Sequence, residues 1–307
     1  MRERLTDGLY GLGWAGVKRL PEPVAVRLGQ RIADVAWKRR GPGVRQLEAN
    51  LARVVPDASA QRLTELSRAG MRSYLRYWME SFRLPAWDHE RIANGMRLLD
   101  AHRLTEPLEQ GRGAVLALPH LANWDLAGAW ATTQLGVNLA TVAERLKPAS
   151  LYDRFVAYRE SLGMEVLPHD GGTPFGVLAR RLRAGQVVAL VADRDLSASG
   201  VEVSFFGEPA RMPPGPALLA LQTGAPLLPA SLWFDDTPVM KARVHPAIEV
   251  PAEGTRREKA AAMTQALADV FAEAIAAHPT DWHMLQRLWP ADPPTRPGGP
   301  AKREPRP

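Results

Sequence analysis

Apolar positions recur at three- and four-residue intervals over the first hundred residues; beyond residue 110 they gather into short runs separated by helical stretches. The early spacing predicts helices over Val44–Val54, Ser59–Leu84 and Glu90–Leu99. The later runs Gly113–Leu118, Val137–Val142, Met164–Leu167, Gln186–Ala192, Pro226–Trp233 and Val239–Val244 read as strands. Between and after them, Asn123–Gln134, Leu151–Leu162, Phe175–Arg183, Pro216–Gln222 and Arg257–Ala277 read as helices. Strand alternating with helix predicts an α/β fold, a central mostly parallel sheet flanked by helices. Residues 1–290 are taken as one domain. The stretch 291–307 holds six prolines, four basic residues and no apolar face, which predicts a disordered tail.

The N-terminal region, residues 1–56, is amphipathic. Leu5, Leu9, Leu12, Val17 and Leu20 fall near helical spacing, with Tyr10 and Trp14 between them. Val24, Leu28, Ile32, Val35 and Ala36 continue the pattern after Pro21 and Pro23, while Lys18, Arg19, Arg27, Arg31 and Lys38-Arg39-Arg40 add positive charge. Such a pattern suits helices lying in a lipid headgroup layer. It equally suits an ordinary helical pair packed on a core with one solvated face. Charge sharpens the choice of partner: these residues hold eleven Lys/Arg against five Asp/Glu, so the whole net charge of +6 resides here. One surface is therefore expected to meet something anionic, phospholipid or nucleic acid.

Glu3 and Asp7 interrupt the start, and no small-residue cleavage site follows, so a secretory signal is not expected. Two charge-free stretches, Leu126–Ala143 and Pro213–Phe234, are broken respectively by Thr132, Thr133, Gln134 and Asn138 and by five prolines. Neither supplies the roughly 20 continuous apolar residues of a spanning helix. With 307 residues, 46% hydrophobic and 23% charged, the chain can bury a sizeable core and is not globally disordered. The absence of cysteine excludes disulfides, thiolate catalysis, Cys-ligated zinc and iron–sulfur clusters, and is compatible with a reducing interior.

Seven histidines are candidates for chemistry. His89, His102, His245 and His278 read as solvated or capping positions, His283 as a core residue beside Trp282 and Trp289, and His169 as a loop residue near Gly171-Gly172. His120 stands apart because it follows Leu118-Pro119 at the C-terminal end of an expected strand, the edge where open α/β sheets bind ligands. Asn123 is a good N-cap for the next helix, and Asp125 lies in that helix's first turn. A carboxylate there can fold back toward the imidazole, fix its tautomer and leave the other nitrogen to take a proton from a hydroxyl. The same pair could instead simply pin the turn.

His120 and Asp125, in His-x4-Asp spacing, resemble the signature of the glycerolipid and lipid A acyltransferases. Further motifs follow in that family's order: Glu144-Arg145-Leu-Lys147-Pro148, Tyr158-Arg159-Glu160, Ala192-Asp193-Arg194-Asp195, Phe205-Phe206-Gly207, Thr223-Gly224 and Asp281-Trp282-His283. Together they are most similar to the phosphatidylinositol mannoside acyltransferases of actinobacteria, over nearly the whole chain except the tail. The resemblance implies a glycerol-phosphate-acyltransferase-like fold with its N-terminal helices at the membrane. It implies transfer of a long, palmitoyl-type acyl group from acyl-CoA to the 6-hydroxyl of a mannose, at the cytoplasmic face of the cell membrane. Acyl-CoA would be a co-substrate, with no metal or resident cofactor.

The resemblance also distributes roles. His120 would be the general base, Asp193 its acidic partner, and Asp125 a second acid holding local geometry. Relatives of the mannoside subfamily usually carry Glu where this chain has Asp193. A bland alternative for Asp193 is an ion pair with Arg194 or Arg159. Arg159 would bind a phosphate or the developing oxyanion, or else form a surface ion pair. Ser199 and Gln222 match acyl-CoA contacts; Glu144, Arg145 and Asp195 are acceptor-site candidates. Leu116, Leu118, Trp124, Trp130, Phe205 and Phe206 could line an acyl channel or fill the core. Two rivals remain at this point: a lipid A-type enzyme using acyl carrier protein, and a basic nucleic-acid-binding protein, although no nucleic-acid motif is present.

Overall fold

The computed structural model describes residues 16–18, 20–143, 149–168, 173–195, 200–235 and 237–292. Three helices lead: α1 (Glu22–Lys38), α2 (Pro42–Val54) and α3 (Ala60–Arg83). Ser59 starts α3 by accepting a hydrogen bond from the Arg62 N–H at 3.1 Å. Then follow α4 (His89–Gly95), β1 (Met96–Leu99), α5 (His102–Glu109), β2 (Ala114–Leu118), α6 (Trp124–Gln134), β3 (Leu139–Ala143), α7 (Ala149–Ser161) and β4 (Met164–Pro168). The second half holds α8 (Thr173–Arg183), β5 (Val187–Val191), β6 (Val201–Phe205), β7 (Glu208–Met212), α9 (Gly215–Thr223), β8 (Leu227–Phe234), β9 (Met240–Val244) and α10 (Arg256–Ala277).

Seven strands form one sheet in the order β1-β9-β8-β2-β5-β3-β4, parallel at every pairing except β8 with β9. The α/β architecture expected from the sequence is present. All five residues of β2 are buried, because a central parallel strand is covered on both faces. Gly113 leads into β2 at a φ of +65°, and a Cβ there would sit 2.6 Å from the Leu182 carbonyl oxygen. Only glycine fits that approach.

Two local expectations fail. The helix expected over Glu90–Leu99 stops at Gly95, and Met96–Leu99 instead pairs in parallel with β9. Four residues are too few for their periodicity to separate strand from helix. The antiparallel pair β6 and β7 was not expected at all; it turns at Phe206 and Gly207, both at positive φ (51° and 77°). Helix α10 is long and apolar enough to cross a bilayer by length and composition, yet Met263, Leu267, Phe271 and Ile275 bury one side of it in the core.

At the N-terminus, α1 packs on α3 through small residues, with Ala25, Gly29 and Ala33 buried. Its large side chains point outward: Val24, Val26, Leu28, Ile32 and Val35 are all exposed, Val35 by 49%. At about 100° per residue, Val24, Leu28, Ile32 and Val35 share an arc of about 80°, with Arg27, Arg31 and Lys38 along one border. The apolar and basic residues expected within 1–15, and Arg19, lie outside the described residues. At the other end, Asp292 does not belong to a tail. It is buried, accepts from Gln46 Nε2 at 2.8 Å and pairs with Arg53 Nη2 at 2.8 Å. Residues 293–307 lie outside the described residues.

Candidate active site

Sheet register brings the first two site residues together. Leu118 of β2 is the partner of Val191 in β5, and the pairing continues when Ala192 N–H donates to the Leu118 carbonyl at 2.9 Å. Two residues beyond each strand end, His120 and Asp193 therefore face one another. The Nδ1 of His120 lies 2.5 Å from Oδ1 of Asp193, and the His120 backbone N–H donates to Oδ2 at 3.0 Å. A third donor, the indole N–H of Trp282, reaches Oδ2 at 2.9 Å. Asp193 is fully buried, whereas His120 keeps 29% of its side chain accessible.

Burial would push the Asp193 carboxyl up, but the His120 ring, the Trp282 indole and the His120 N–H reverse this and hold it below the usual carboxylate range. The charged carboxylate accepts the Nδ1 proton, which leaves Nε2 as the lone-pair nitrogen. In that arrangement Nε2 is free to accept a proton. The ion pair of Asp193 with Arg194 or Arg159, the bland alternative, is not the arrangement found.

Asp125 does not reach the imidazole, contrary to the fold-back expected from its spacing. Asn123 caps α6 as expected, accepting from the Leu126 N–H at 3.0 Å. The first turn so formed aims Asp125 into the protein, where Tyr77 Oη donates to Oδ2 at 2.9 Å and Arg159 Nε donates to Oδ1 at 2.7 Å. Burial pushes the Tyr77 phenol up, and the Asp125 charge adds to that effect. Burial would lower the Arg159 guanidinium, but Asp125 and the neighbouring phenols more than offset this and raise it. Arg159, with 16% of its side chain accessible, is thus a largely buried ion-pair partner, not a surface one.

Both clusters border one cavity of about 660 Å³, within the range of small-molecule sites. Leu116, Leu118, Ala230 and Leu232 of the sheet line it, as do Trp124 and Ala131 of α6. His120, Asp125, Arg159, Arg194, Asp195 and Arg243 are among its polar groups. Of the channel candidates, Leu116, Leu118, Trp124 and Trp130 line it. Phe205 and Phe206 pack instead against Trp282 and Trp289. Gln222 lies elsewhere: it is exposed near the C-terminal end of α9, accepting from Arg256 Nη2 at 2.9 Å, while the opposite end of α9 meets the cavity. Ser199, Glu144, Arg145 and His169 lie outside the described residues.

A family model, the bacterial lipid A biosynthesis acyltransferases, matches residues 2–291. The chain belongs to that family. This acyltransferase is also 50% identical over 291 residues to a protein of Mycolicibacterium smegmatis named phosphatidylinositol mannoside acyltransferase, covering 94% of this chain and 93% of the relative. Two Mycobacterium tuberculosis proteins of the same name, from strains CDC 1551 and H37Rv, are 50% identical over 296 residues, covering 94% of this chain and 89% of each relative.

Three contributors to the site of this acyltransferase were not legible from its sequence: Tyr77, Glu80 and Trp282. Tyr77 and Glu80 lie on α3, where the helical pattern alone gives no sign that one holds Asp125 and the other accepts from Asn123 Nδ2 at 2.9 Å. Trp282 was read as part of the Asp281-Trp282-His283 motif and of an aromatic cluster, with no role given to its side chain. Its neighbour His283 is buried as expected, with its ring pushed down to about 3 by burial and by the His120 charge.

Proposed function

We propose that this acyltransferase moves a long, palmitoyl-type acyl group from acyl-CoA to the 6-hydroxyl of a mannose on phosphatidylinositol mannoside. The observation that carries this reading is the His120–Asp193 pair at the border of a largely apolar cavity. In the proposed step, Nε2 of His120 removes the mannose hydroxyl proton as that oxygen attacks the thioester carbonyl. The tetrahedral intermediate collapses with cleavage of the carbon–sulfur bond. The proton passes from the imidazolium to the departing CoA sulfur, so the imidazole ends neutral. Asp193 holds the imidazole tautomer and offsets the transient positive charge. Arg159, itself fixed by Asp125, places positive charge beside the cavity where an oxyanion or phosphate would lie. No resident cofactor takes part.

The same proposal places the protein on the cytoplasmic face of the cell membrane as a peripheral protein. The exposed apolar arc of α1, bordered by Arg27, Arg31 and Lys38, supports contact with an anionic lipid surface. A phospholipid partner explains exposed valine, leucine and isoleucine; nucleic acid would not.

The test uses purified protein with palmitoyl-CoA and a mannosylated phosphatidylinositol in anionic vesicles, following release of free CoA and formation of acylated glycolipid. His120→Ala should lower turnover by at least about a thousandfold without loss of fold, since the base is removed outright. Turnover of that variant at the parental rate would refute the base. Transfer from acyl carrier protein alone would refute the CoA donor.

A further inference from the structure

The strand-to-helix turn that carries His120 does not hold itself. Ala122, two residues on, has a φ of +48°, a conformation that non-glycine residues seldom adopt without support. The support comes from Asp281-Trp282-His283, a segment more than 150 residues away in sequence. The His283 N–H donates to the His120 carbonyl at 2.8 Å, and the Ala122 N–H donates to the Asp281 carbonyl at 3.0 Å. Between them Leu121 and Trp282 form an antiparallel bridge. The segment is itself anchored: Asp281 accepts from Ser73 Oγ of α3 at 2.7 Å and from the Phe234 N–H at the end of β8 at 2.9 Å.

The Trp282 side chain adds a contact that backbone pairing does not need. Its N–H reaches Oδ2 of Asp193, the oxygen not used by the imidazole. Its ring is fully buried and contacts Phe205, Phe206 and Trp289, so the direction of the N–H is set by packing. The other two contacts of the carboxylate both come from His120, its backbone N–H on Oδ2 and its ring on Oδ1. The indole N–H therefore ties the carboxylate to a part of the fold other than the histidine it orients.

We propose that Trp282 is a positioning residue for the acyl transfer, its indole N–H locking the Asp193 carboxylate so that His120 stays in the tautomer with Nε2 free to act as base. This rests on the reading of His120 as the base. Without the N–H, the carboxylate is held by His120 alone and can shift with it, its grip on the Nδ1 proton weakens, and part of the neutral imidazole population carries its proton on Nε2, where it cannot accept one.

Two variants test this. Trp282→Phe removes the N–H and also some ring volume. A benzothienylalanine placed at position 282 by codon suppression replaces the N–H with sulfur in a ring of nearly the same shape, so packing is retained if the phenylalanine variant unfolds. Turnover and both Michaelis constants are measured with palmitoyl-CoA and the mannosylated acceptor. The tautomer balance of His120 is measured without substrate from imidazole ¹⁵N shifts of histidine-labelled protein. Expected for the sulfur variant are a kcat lower by about ten- to a hundredfold, the loss of one hydrogen bond to a charged group, Michaelis constants within about twofold, and a shift of His120 toward the Nε2–H tautomer. A kcat within twofold of the parent, or a lower kcat with an unmoved tautomer balance, would overturn the proposal. If the parent protein transfers no acyl group, the proposed function fails, and the tautomer measurement alone decides the role of Trp282.

Discussion

Replacing Asp193 by asparagine changes one atom and should invert the chemistry of His120. In the parent, Oδ2 accepts two N–H groups, at 3.0 Å from His120 and 2.9 Å from Trp282, while Oδ1 faces Nδ1 at 2.5 Å. The asparagine oxygen must take the Oδ2 position, because its NH₂ group there would oppose two buried donors at a cost of about 1–3 kcal/mol each. The NH₂ then faces Nδ1 and can only donate. Nδ1 becomes an acceptor, the ring proton moves to Nε2, and the base is blocked. In a serine-protease triad the corresponding wrong tautomer lowers turnover on the order of 10⁴-fold, equivalent to about 5.5 kcal/mol of barrier. The assay is steady-state release of CoA, with urea unfolding as a check on the fold. Asp193→Glu keeps an acceptor for Nδ1 and should exceed Asp193→Asn by at least about tenfold. Were Asp193→Asn to turn over within tenfold of the parent, the tautomer argument would be wrong.

Three other perturbations probe separate parts of the molecule. Tyr77→Phe deletes the phenol that donates to buried Asp125 and should lower unfolding stability by about 1–2 kcal/mol; an unchanged urea midpoint would mean that Asp125 does not need it. Ile32→Asp combined with Val35→Asp places charge in the exposed arc of α1. With about 1.5–3 kcal/mol per large aliphatic side chain, sedimentation with anionic vesicles should weaken by at least about a hundredfold, and undiminished sedimentation would remove α1 from the lipid contact. Asp281 is pushed up to about 6 by burial, which outweighs the donors Ser73 and Phe234. A raised carboxyl favours the folded state most at low pH and loses that advantage as pH rises from about 4 through 6. The stability of the parent relative to Asp281→Asn should therefore fall by about 2 kcal/mol between pH 4 and 7, and a pH-independent difference would contradict it.

Much of the sheet was readable because β2, β5 and β8 are buried or partly buried apolar runs bounded by glycine, proline or polar residues. The hairpin of β6 and β7 was not, since Phe206-Gly207 lacks the asparagine or aspartate that usually marks a turn with two positive φ values. His120 was legible from its place past a strand end and Asp193 through the resemblance; they meet because each lies two residues beyond its strand and parallel pairing equalises those ends. The role of Asp125 was harder. Its spacing from His120 permits a local contact, but the Asn123 cap sets the direction of the first helical turn, and Tyr77 and Arg159 await it there. Gln222 has a suitable place in the sequence yet sits at the wrong end of α9, which a helix of nine residues makes a large separation.

The strap over the His120 turn also fixes when the proposed site can form during synthesis of the chain. The imidazole at 120 and its carboxylate at 193 leave the ribosome well before residues 281–283, the clamp that closes the turn around them. A nascent chain halted short of that clamp holds the reactive pair but not its alignment. The greasy outer stripe of α1 is made long before residues 281–283, and the proposed base is completed only when they follow.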